Sequence, residues 1–422
     1  MIDCSTVFTP NDIPTITYVG RSELQLEEKL SSYIQIPKMV VSLYGPSKSG
    51  KTVLIKKKID SDYIIPVIGS GINSPDDLWN RILQWINSPT TTSVSNASGT
   101  TIGGSVGGSG SVGVPLIAQG EVAGELSAGQ TNQSTTTKTL NHSGLPSVIR
   151  EISNSEFVIF IDDFHYIDPA IQEEVGRQIK VAAENGVKII TASIPHRSDD
   201  VVRSNPELRG RVAAIDLGYW NKVHLLQIAT QGFNALNIAV SQDVIDRLAD
   251  ESMGSPQLMQ TICYCLCRTL RIYNSLDKMT QISVSNDHIN DALFETSHFT
   301  DFSKMLSALH DGPRSRGQER KEYNLSDGSC GDVYRVLLLS IRSNPISMSF
   351  SYDEIMSRVR NTCVSDSPAG SSVTSCLEQM KIISENVQPG KPVIAWDGDR
   401  LDVTDPYFAF FLRCSDKLLK LA

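Results

Sequence analysis

The chain has 422 residues, 40% hydrophobic and 20% charged, with a formal net charge of −9. That length allows about two or three domains and a sizeable core, and the acidic balance excludes a protein that coats nucleic acid over its whole surface, leaving room only for a local basic patch. No apolar run is long enough to span a bilayer, and Met1–Ser5 lacks the regions of a signal peptide, so the expectation is a cytoplasmic protein with no membrane partner.

Residues 1–17, with Pro10 and Pro14, predict an irregular lead-in. From about Tyr18 to Tyr219, apolar runs alternate with amphipathic stretches, which predicts a parallel α/β sheet. Strands are expected at Met39–Tyr44, Tyr63–Val67, Phe157–Ile161, Lys188–Ser193 and Ala213–Leu217. The first leads into Gly45-Pro46-Ser47-Lys48-Ser49-Gly50-Lys51-Thr52, which fits GxxxxGK[ST] at every specified position. Gly45 and Gly50 let the backbone turn so that successive N–H groups face phosphate oxygens. Lys51 brings a charge for the β and γ phosphates, and Thr52 a hydroxyl for Mg²⁺. A helix starting near Gly50 and running through Val53 adds its dipole. These residues predict nucleotide binding.

Thr91–Gly144 interrupts the core with 11 glycines and three charged residues, Glu121, Glu125 and Lys138. Composition favours a disordered linker. Yet Val112, Val114, Leu116, Ala118, Val122, Leu126 and Ala128 all fall on even positions, the period of a glycine-rich hairpin. Both readings stand at this point.

Phe157–Ile161 is a buried strand that delivers Asp162 and Asp163 at its carboxyl end, the edge where parallel sheets bind ligands. Asp162 is expected to hold Mg²⁺ opposite Thr52, and Asp163 to orient the attacking water. His165 and Asp168 read as surface loop residues. Val187–Ser193 ends in Thr191 and Ser193, which either contact the γ phosphate or are satisfied core hydroxyls. Arg203, Arg209 and Arg211 offer an arginine finger for a neighbouring subunit, with surface ion pairing as the other reading.

Helical spacing then covers Asn221–Leu236, Ser241–Ser252, Ser255–Tyr273 and Asn286–His310. Cys263, Cys265 and Cys267 lack a second ligand pair and read as buried thiols, with Cys263 and Cys267 on one helix face. Asp311–Lys321 is a charged connector. Helices are expected at Val333–Ser343, Ser351–Arg360 and Ser371–Ile383, followed by a hairpin of Val393–Trp396 and Arg400–Val403 around Asp397-Gly398-Asp399. Ser351 and Glu354 form a capping-box pair. Three helices and a hairpin predict a winged helix.

Several of these segments together resemble AAA+ and STAND-type ATPases. Tyr18-Val19-Gly20-Arg21 is similar to the adenine-side motif of that family, and Gly254-Ser255-Pro256 to its lid GxP motif, whose proline packs near the adenine. Asp405-Pro406-Tyr407-Phe408 and the residues after it resemble the ending of winged helices in archaeal-type STAND ATPases. The resemblance covers most of residues 18–415. It implies an α/β fold: a P-loop NTPase parallel-sheet core (18–220) with the 91–144 insertion, a helical lid (221–312), a linker (313–322) and a C-terminal winged helix (323–422). It also implies ATP and Mg²⁺ as ligands. Val19, Gly20, Arg21 and Pro256 would lie on the adenine side.

The lid lacks the arginine that many AAA+ proteins place there to sense the γ phosphate, which favours the STAND or origin-recognition side of the family; the expectation is an ATPase of slow turnover. The sequence ends after the winged helix with no sensor array or effector domain. The resemblance therefore implies a switch that forms a homo-oligomer and activates or recruits a separate effector, in the manner of bacterial antiviral defence. The alternative is a DNA-associated AAA+ ATPase, similar to origin-recognition or transposition-regulator proteins. Its candidate recognition helix, Ser371–Lys381, carries only one cation and one anion, which supports nucleic-acid binding weakly.

Overall fold

The computed structural model describes residues 1–87, 91–94, 138–141, 144–194, 205, 208–313 and 320–421. Helix α1 (Cys4–Val7) and α2 (Leu26–Tyr33) precede strand β1 (Val40–Tyr44), which leads through the Gly45–Gly50 loop into α3 (Lys51–Lys58). Then follow β2 (Ile64–Ile68), α4 (Pro75–Trp85), β3 (Thr91–Val94), β4 (Lys138–Asn141) and α5 (Gly144–Ile152). The core ends with β5 (Val158–Asp162), α6 (Pro169–Glu184), β6 (Lys188–Ser193) and β7 (Val212–Asp216).

Five strands form one parallel sheet in the order β2-β5-β6-β1-β7. Each expected strand is present within one residue of its predicted bounds. For the inner strands β1, β5 and β6 the apolar runs explain that agreement: a parallel strand covered on both faces has no polar side, so its limits coincide with the limits of the run. Val40, Ile65, Ile159, Ile161 and Ile189 pack on α4, α5 and α6, while Val41, Leu43, Phe160 and Ile190 pack on α2 and α3. β6 lies between β1 and β5, so its carboxyl end separates the phosphate loop from the Asp162–Asp163 edge.

The ends of the insertion pair as an antiparallel β3–β4 stem. The alternating Val112–Ala128 stretch lies outside the described residues, as does Arg203.

The lid holds α7 (Lys222–Ala235), β8 (Ile238–Ala239), α8 (Gln242–Glu251), α9 (Pro256–Thr269), β9 (Thr280–Gln281), α10 (Asn286–Ser297) and α11 (Ser303–Asp311). The helical stretch expected over Asn286–His310 is divided into two helices. The break carries its own stop-and-start chemistry, because the Asp301 carboxylate accepts from the Ser303 N–H at 2.8 Å. Cys263, Cys265 and Cys267 are all buried; burial pushes the Cys263 thiol well up and also raises that of Cys265. Among the described residues no cluster of three or more His, Cys, Asp or Glu side chains could hold a metal ion, and no helix is long and apolar enough to cross a membrane.

The C-terminal unit begins with the short β10 (Tyr323–Asn324) and β11 (Cys330–Gly331) pair and α12 (Val333–Arg342). It continues with β12 (Ser349–Ser351), α13 (Tyr352–Thr362), α14 (Gly370–Val387), β13 (Ile394–Trp396), β14 (Arg400–Val403), α15 (Pro406–Cys414) and α16 (Lys417–Lys420). The expected hairpin gains a third strand, giving an antiparallel order β12-β14-β13. The Ser351–Glu354 capping box is present in both directions.

The lead-in is irregular apart from the one turn of α1, and it packs on the lid. Cys4, Val7 and Phe8 are buried in the same apolar cluster as α7, α9 and the C-terminal unit. The Phe8 ring meets Phe233 edge-on at 5.4 Å, and Gly232 makes room for it: a Cβ there would lie 2.2 Å from Phe8 Cε1. Phe8→Ala is expected to destabilise the lid by about 3 kcal/mol through the cavity it leaves. Gly232→Ala is expected to cost about 1–3 kcal/mol through overpacking. Urea unfolding followed by lid-specific proteolysis reads both, and wild-type stability in Phe8→Ala would refute the packing role of the lead-in.

Candidate functional site

Phosphate-binding geometry starts at the carboxyl end of β1. Gly50 takes φ +97° as the residue before α3, and a Cβ there would meet nothing within 4 Å, so the loop leaves open space above it. Lys48 also sits at positive φ, +62°. Gly45 is needed for close approach: a Cβ would lie 3.0 Å from the Leu217 Cβ and 3.1 Å from the Ser49 hydroxyl. Lys51 folds back over the loop, donating to the Gly45 and Pro46 carbonyls at 2.9 and 3.0 Å. Burial lowers its pKa, while the charges of Asp162 and Asp163 act in the opposite direction.

The acidic edge faces this loop. Asp162 is the last residue of β5, and the Thr52 hydroxyl donates to its Oδ2 at 3.5 Å. Its Oδ1 accepts from the Asp163 N–H at 2.9 Å. Burial, then the neighbouring Asp163 charge, raises the Asp162 pKa; Lys51 works against both. Asp163 leaves the strand at φ +55°, which turns its side chain away from the line of β5. Thr52 and Asp162 supply hard oxygen donors of the kind Mg²⁺ takes when phosphates complete its shell.

Ser193 ends β6, and its carbonyl accepts from the Gly45 N–H at 3.3 Å. Thr191 and Ser193 are buried, and no protein hydrogen bond is recorded to either hydroxyl. Thr191 pairs in register with Ser42 and Ser193 with Tyr44, which puts Ser193 nearer the phosphate loop. His165 is buried against Tyr166, 3.9 Å between ring centroids, correcting its reading as a surface residue. Asp168 is exposed and caps α6 through the Ala170 N–H.

Arg209 and Arg211 are not at this edge. Arg211 immediately precedes β7, at the amino end of the sheet, and pairs with Glu184 of α6. Its guanidinium holds the Glu184 carboxyl below the usual range. Arg209 is exposed beside it. Neither can serve the phosphate loop of its own chain from the opposite edge.

A cleft of about 1450 Å³ runs from the phosphate loop to the base side. Val19, Gly20, Arg21, Val53 and Pro256 all line it, together with Ser47–Thr52 and Asp162–Asp163. Arg21 is buried at φ +45°, donates to the Leu217 carbonyl and stacks over Trp220 at 4.6 Å. Burial lowers its pKa to about 10. The Trp220 indole N–H in turn donates to the Ser49 carbonyl at 2.9 Å. Trp220 thus ties the Arg21 motif to the phosphate loop. It was missed in the sequence because an isolated tryptophan after a strand has no motif around it.

Two further residues were missed, Lys391 and Asp405 of the C-terminal unit, which line the same cleft. Lys391 Nζ lies 3.6 Å from Asp163 Oδ2. Asp405 caps α15 through the Tyr407 N–H, and burial raises its pKa despite nearby Lys48 and Lys391.

The sign of the Asp162 shift makes a prediction. With its pKa raised, the folded state favours the protonated acid, so the charge costs stability above that pKa and the cost fades as pH falls through it. Asp162→Asn removes the cost. The variant is expected to melt higher than wild type at about pH 7.5, with the gap closing as pH falls, while Mg²⁺-dependent nucleotide binding weakens. A lower melting temperature at that pH would refute the assignment of burial as the dominant effect.

No protein-family model matches the chain, and no curated protein matches it in sequence. Solved structures are similar to it at low identity. Cdc6p from Pyrobaculum aerophilum is 13% identical, covering 99% of this chain and 98% of that one, with a TM-score of 0.42. A Walker-type ATPase of Pyrococcus abyssi is 13% identical over 94% and 99%, at 0.48. The Thermotoga maritima RuvB Holliday junction branch migration motor is 13% identical over 70% and 79%, at 0.38. These values carry no argument about activity. The parallel sheet with its phosphate loop after β1 and acidic pair after β5 is, on its own geometry, a P-loop NTPase fold.

Proposed function

We propose that the chain binds ATP with Mg²⁺ at the Gly45–Thr52 loop and hydrolyses it slowly as a molecular switch of the AAA+/STAND type. One observation carries the reading: Lys51 and Thr52 at the start of α3 face Asp162 across the carboxyl edge of the sheet, with Thr52 and Asp162 3.5 Å apart. Lys51 leaves its loop carbonyls for the β and γ phosphates, the backbone N–H groups of the loop cradle the phosphate chain, and the base lies between Val19–Gly20 and Pro256. Bound Mg²⁺, held by Thr52 and Asp162, supplies charge neutralisation on the phosphates. Asp163 accepts a hydrogen bond from the attacking water and turns it toward the γ phosphorus. Ser193, and behind it Thr191, offers a hydroxyl to the γ phosphate from the strand between the two halves of the site. An arginine from a second copy, Arg209 in preference to Arg211 or Arg203, completes the site in the oligomer. The output is a change in packing of core against lid and C-terminal unit, read by a separate partner chain; a role in antiviral defence rests on the resemblance alone.

The DNA-associated alternative loses support from one contact. The only cation of the candidate recognition helix, Lys381, donates to the Trp396 carbonyl at 3.0 Å, and Lys381, Ile382 and Glu385 line the nucleotide cleft. In this arrangement that face of α14 looks into the cleft.

Lys51→Ala is expected to weaken binding of a fluorescent ATP analogue at least about tenfold, whereas Asp163→Asn keeps binding and lowers phosphate release about 100-fold. Equal turnover in Asp163→Asn and wild type would sink the role of Asp163. Native mass measurement should give a larger particle with a non-hydrolysable ATP analogue, and no such change in Lys51→Ala; an unchanged mass in wild type goes against the switch. Duplex DNA titrated at low salt is expected not to bind, and tight, steeply salt-dependent binding would favour the alternative.

A further inference from the structure

The loop between α14 and β13 brings a C-terminal charge onto the catalytic edge of the core. Gly390 turns this loop at φ +74°, and its N–H donates to the Glu385 side chain at 2.9 Å. The loop rests on Tyr166: a Cβ at Gly390 would lie 3.1 Å from Tyr166 Cδ1, and Lys391 Nζ stands 4.5 Å over the same ring. The ammonium then reaches Asp163 Oδ2 at 3.6 Å. Asp405 lies on the same side of the cleft, near both Lys48 of the phosphate loop and Lys391. The C-terminal unit therefore meets the core at the one carboxylate to which a water-orienting role has been given.

We propose that Lys391 is a positioning residue acting in cis: it holds Asp163 in an ion pair that competes with orienting the attacking water, so docking of the C-terminal unit slows hydrolysis. The inference rests on the proposed role of Asp163. With Nζ 3.6 Å from Oδ2, the ammonium attracts the carboxylate charge and makes it a poorer acceptor for a water proton. The pair is half exposed, with side-chain exposures of 47% for Lys391 and 34% for Asp163. Its strength is that of a surface pair, reinforced by the cation over Tyr166. Such a restraint slows turnover several-fold and is released readily, which suits a switch that must open. ATP binding opposes it, since the attacking water requires Asp163 as its acceptor and the γ phosphate offers Lys391 another anion; an opened Lys391 is then free of Asp163.

The test uses the full chain. Lys391→Ala is expected to raise kcat about three- to tenfold with KM within about twofold, because the variant frees Asp163 without touching the phosphate loop. Lys391→Arg keeps a cation and is expected to hold the wild-type rate. Raising salt screens a half-exposed pair, so it should speed wild type toward Lys391→Ala while leaving the variant unchanged. Hydrogen exchange over residues 385–392 gives a readout independent of turnover: it should rise when wild type binds an ATP analogue with Mg²⁺. An unchanged or lower kcat in Lys391→Ala with normal analogue binding, or no change in exchange upon binding, would overturn the proposal and leave the nucleotide site intact. Failure of wild type to bind any nucleotide would overturn the reading of the site itself, and this inference with it.

Discussion

A half-buried ammonium governs this structure. Lys51 is partly withdrawn from water at the start of α3, which lowers its pKa and makes partners for its charge necessary. Two loop carbonyls and the acidic end of β5 compensate it. That compensation requires β5 to end level with the phosphate loop, and hence a sheet in register from β2 to β7. Asp162 carries the complementary cost: its carboxylate is held in a place that favours its protonated form. The site is thus poised against its own folding stability, and a polyphosphate with a divalent cation supplies what both groups lack.

The second organising contact lies between lid and C-terminal unit. Phe302 sits between Phe408 and Phe411 at 5.5 and 6.0 Å. Arg413 of α15 forms a two-pronged pair with Glu251 of α8 at 2.7 and 3.0 Å. One apolar cluster runs through the lead-in, lid and C-terminal unit, whereas the core sheet has its own two clusters. The physical division therefore runs between the sheet and everything else, with the nucleotide cleft on that division. Ligand bound there touches both bodies, which is the requirement for coupling nucleotide state to packing.

Legibility in the sequence followed locality. Strand limits, the phosphate loop, the acidic pair and the Ser351 cap depend on residues a few positions apart, and they were read nearly to the residue. The split of Asn286–His310 was also local, at Asp301 and Ser303, but helical periodicity on both sides concealed it. The packing of the irregular lead-in was not legible because it depends on Gly232, far along the chain. His165 was misread for a related reason: a polar ring in a loop becomes buried only when the sheet edge closes over it.

What the sequence determined alone was the chemistry of the phosphate side: glycines that permit positive φ, a lysine, a hydroxyl and two carboxylates at the end of an apolar strand. Those residues are supplied by single short segments, each a few positions long. Tertiary structure decided which groups share the cleft and which do not: Trp220 joining Arg21 to Ser49, Arg209 and Arg211 lying at the opposite edge, and Lys391 reaching Asp163. The reason is that a single charged or aromatic side chain has no periodicity or motif to mark it; its role arises from the distance that packing sets between segments remote in the chain.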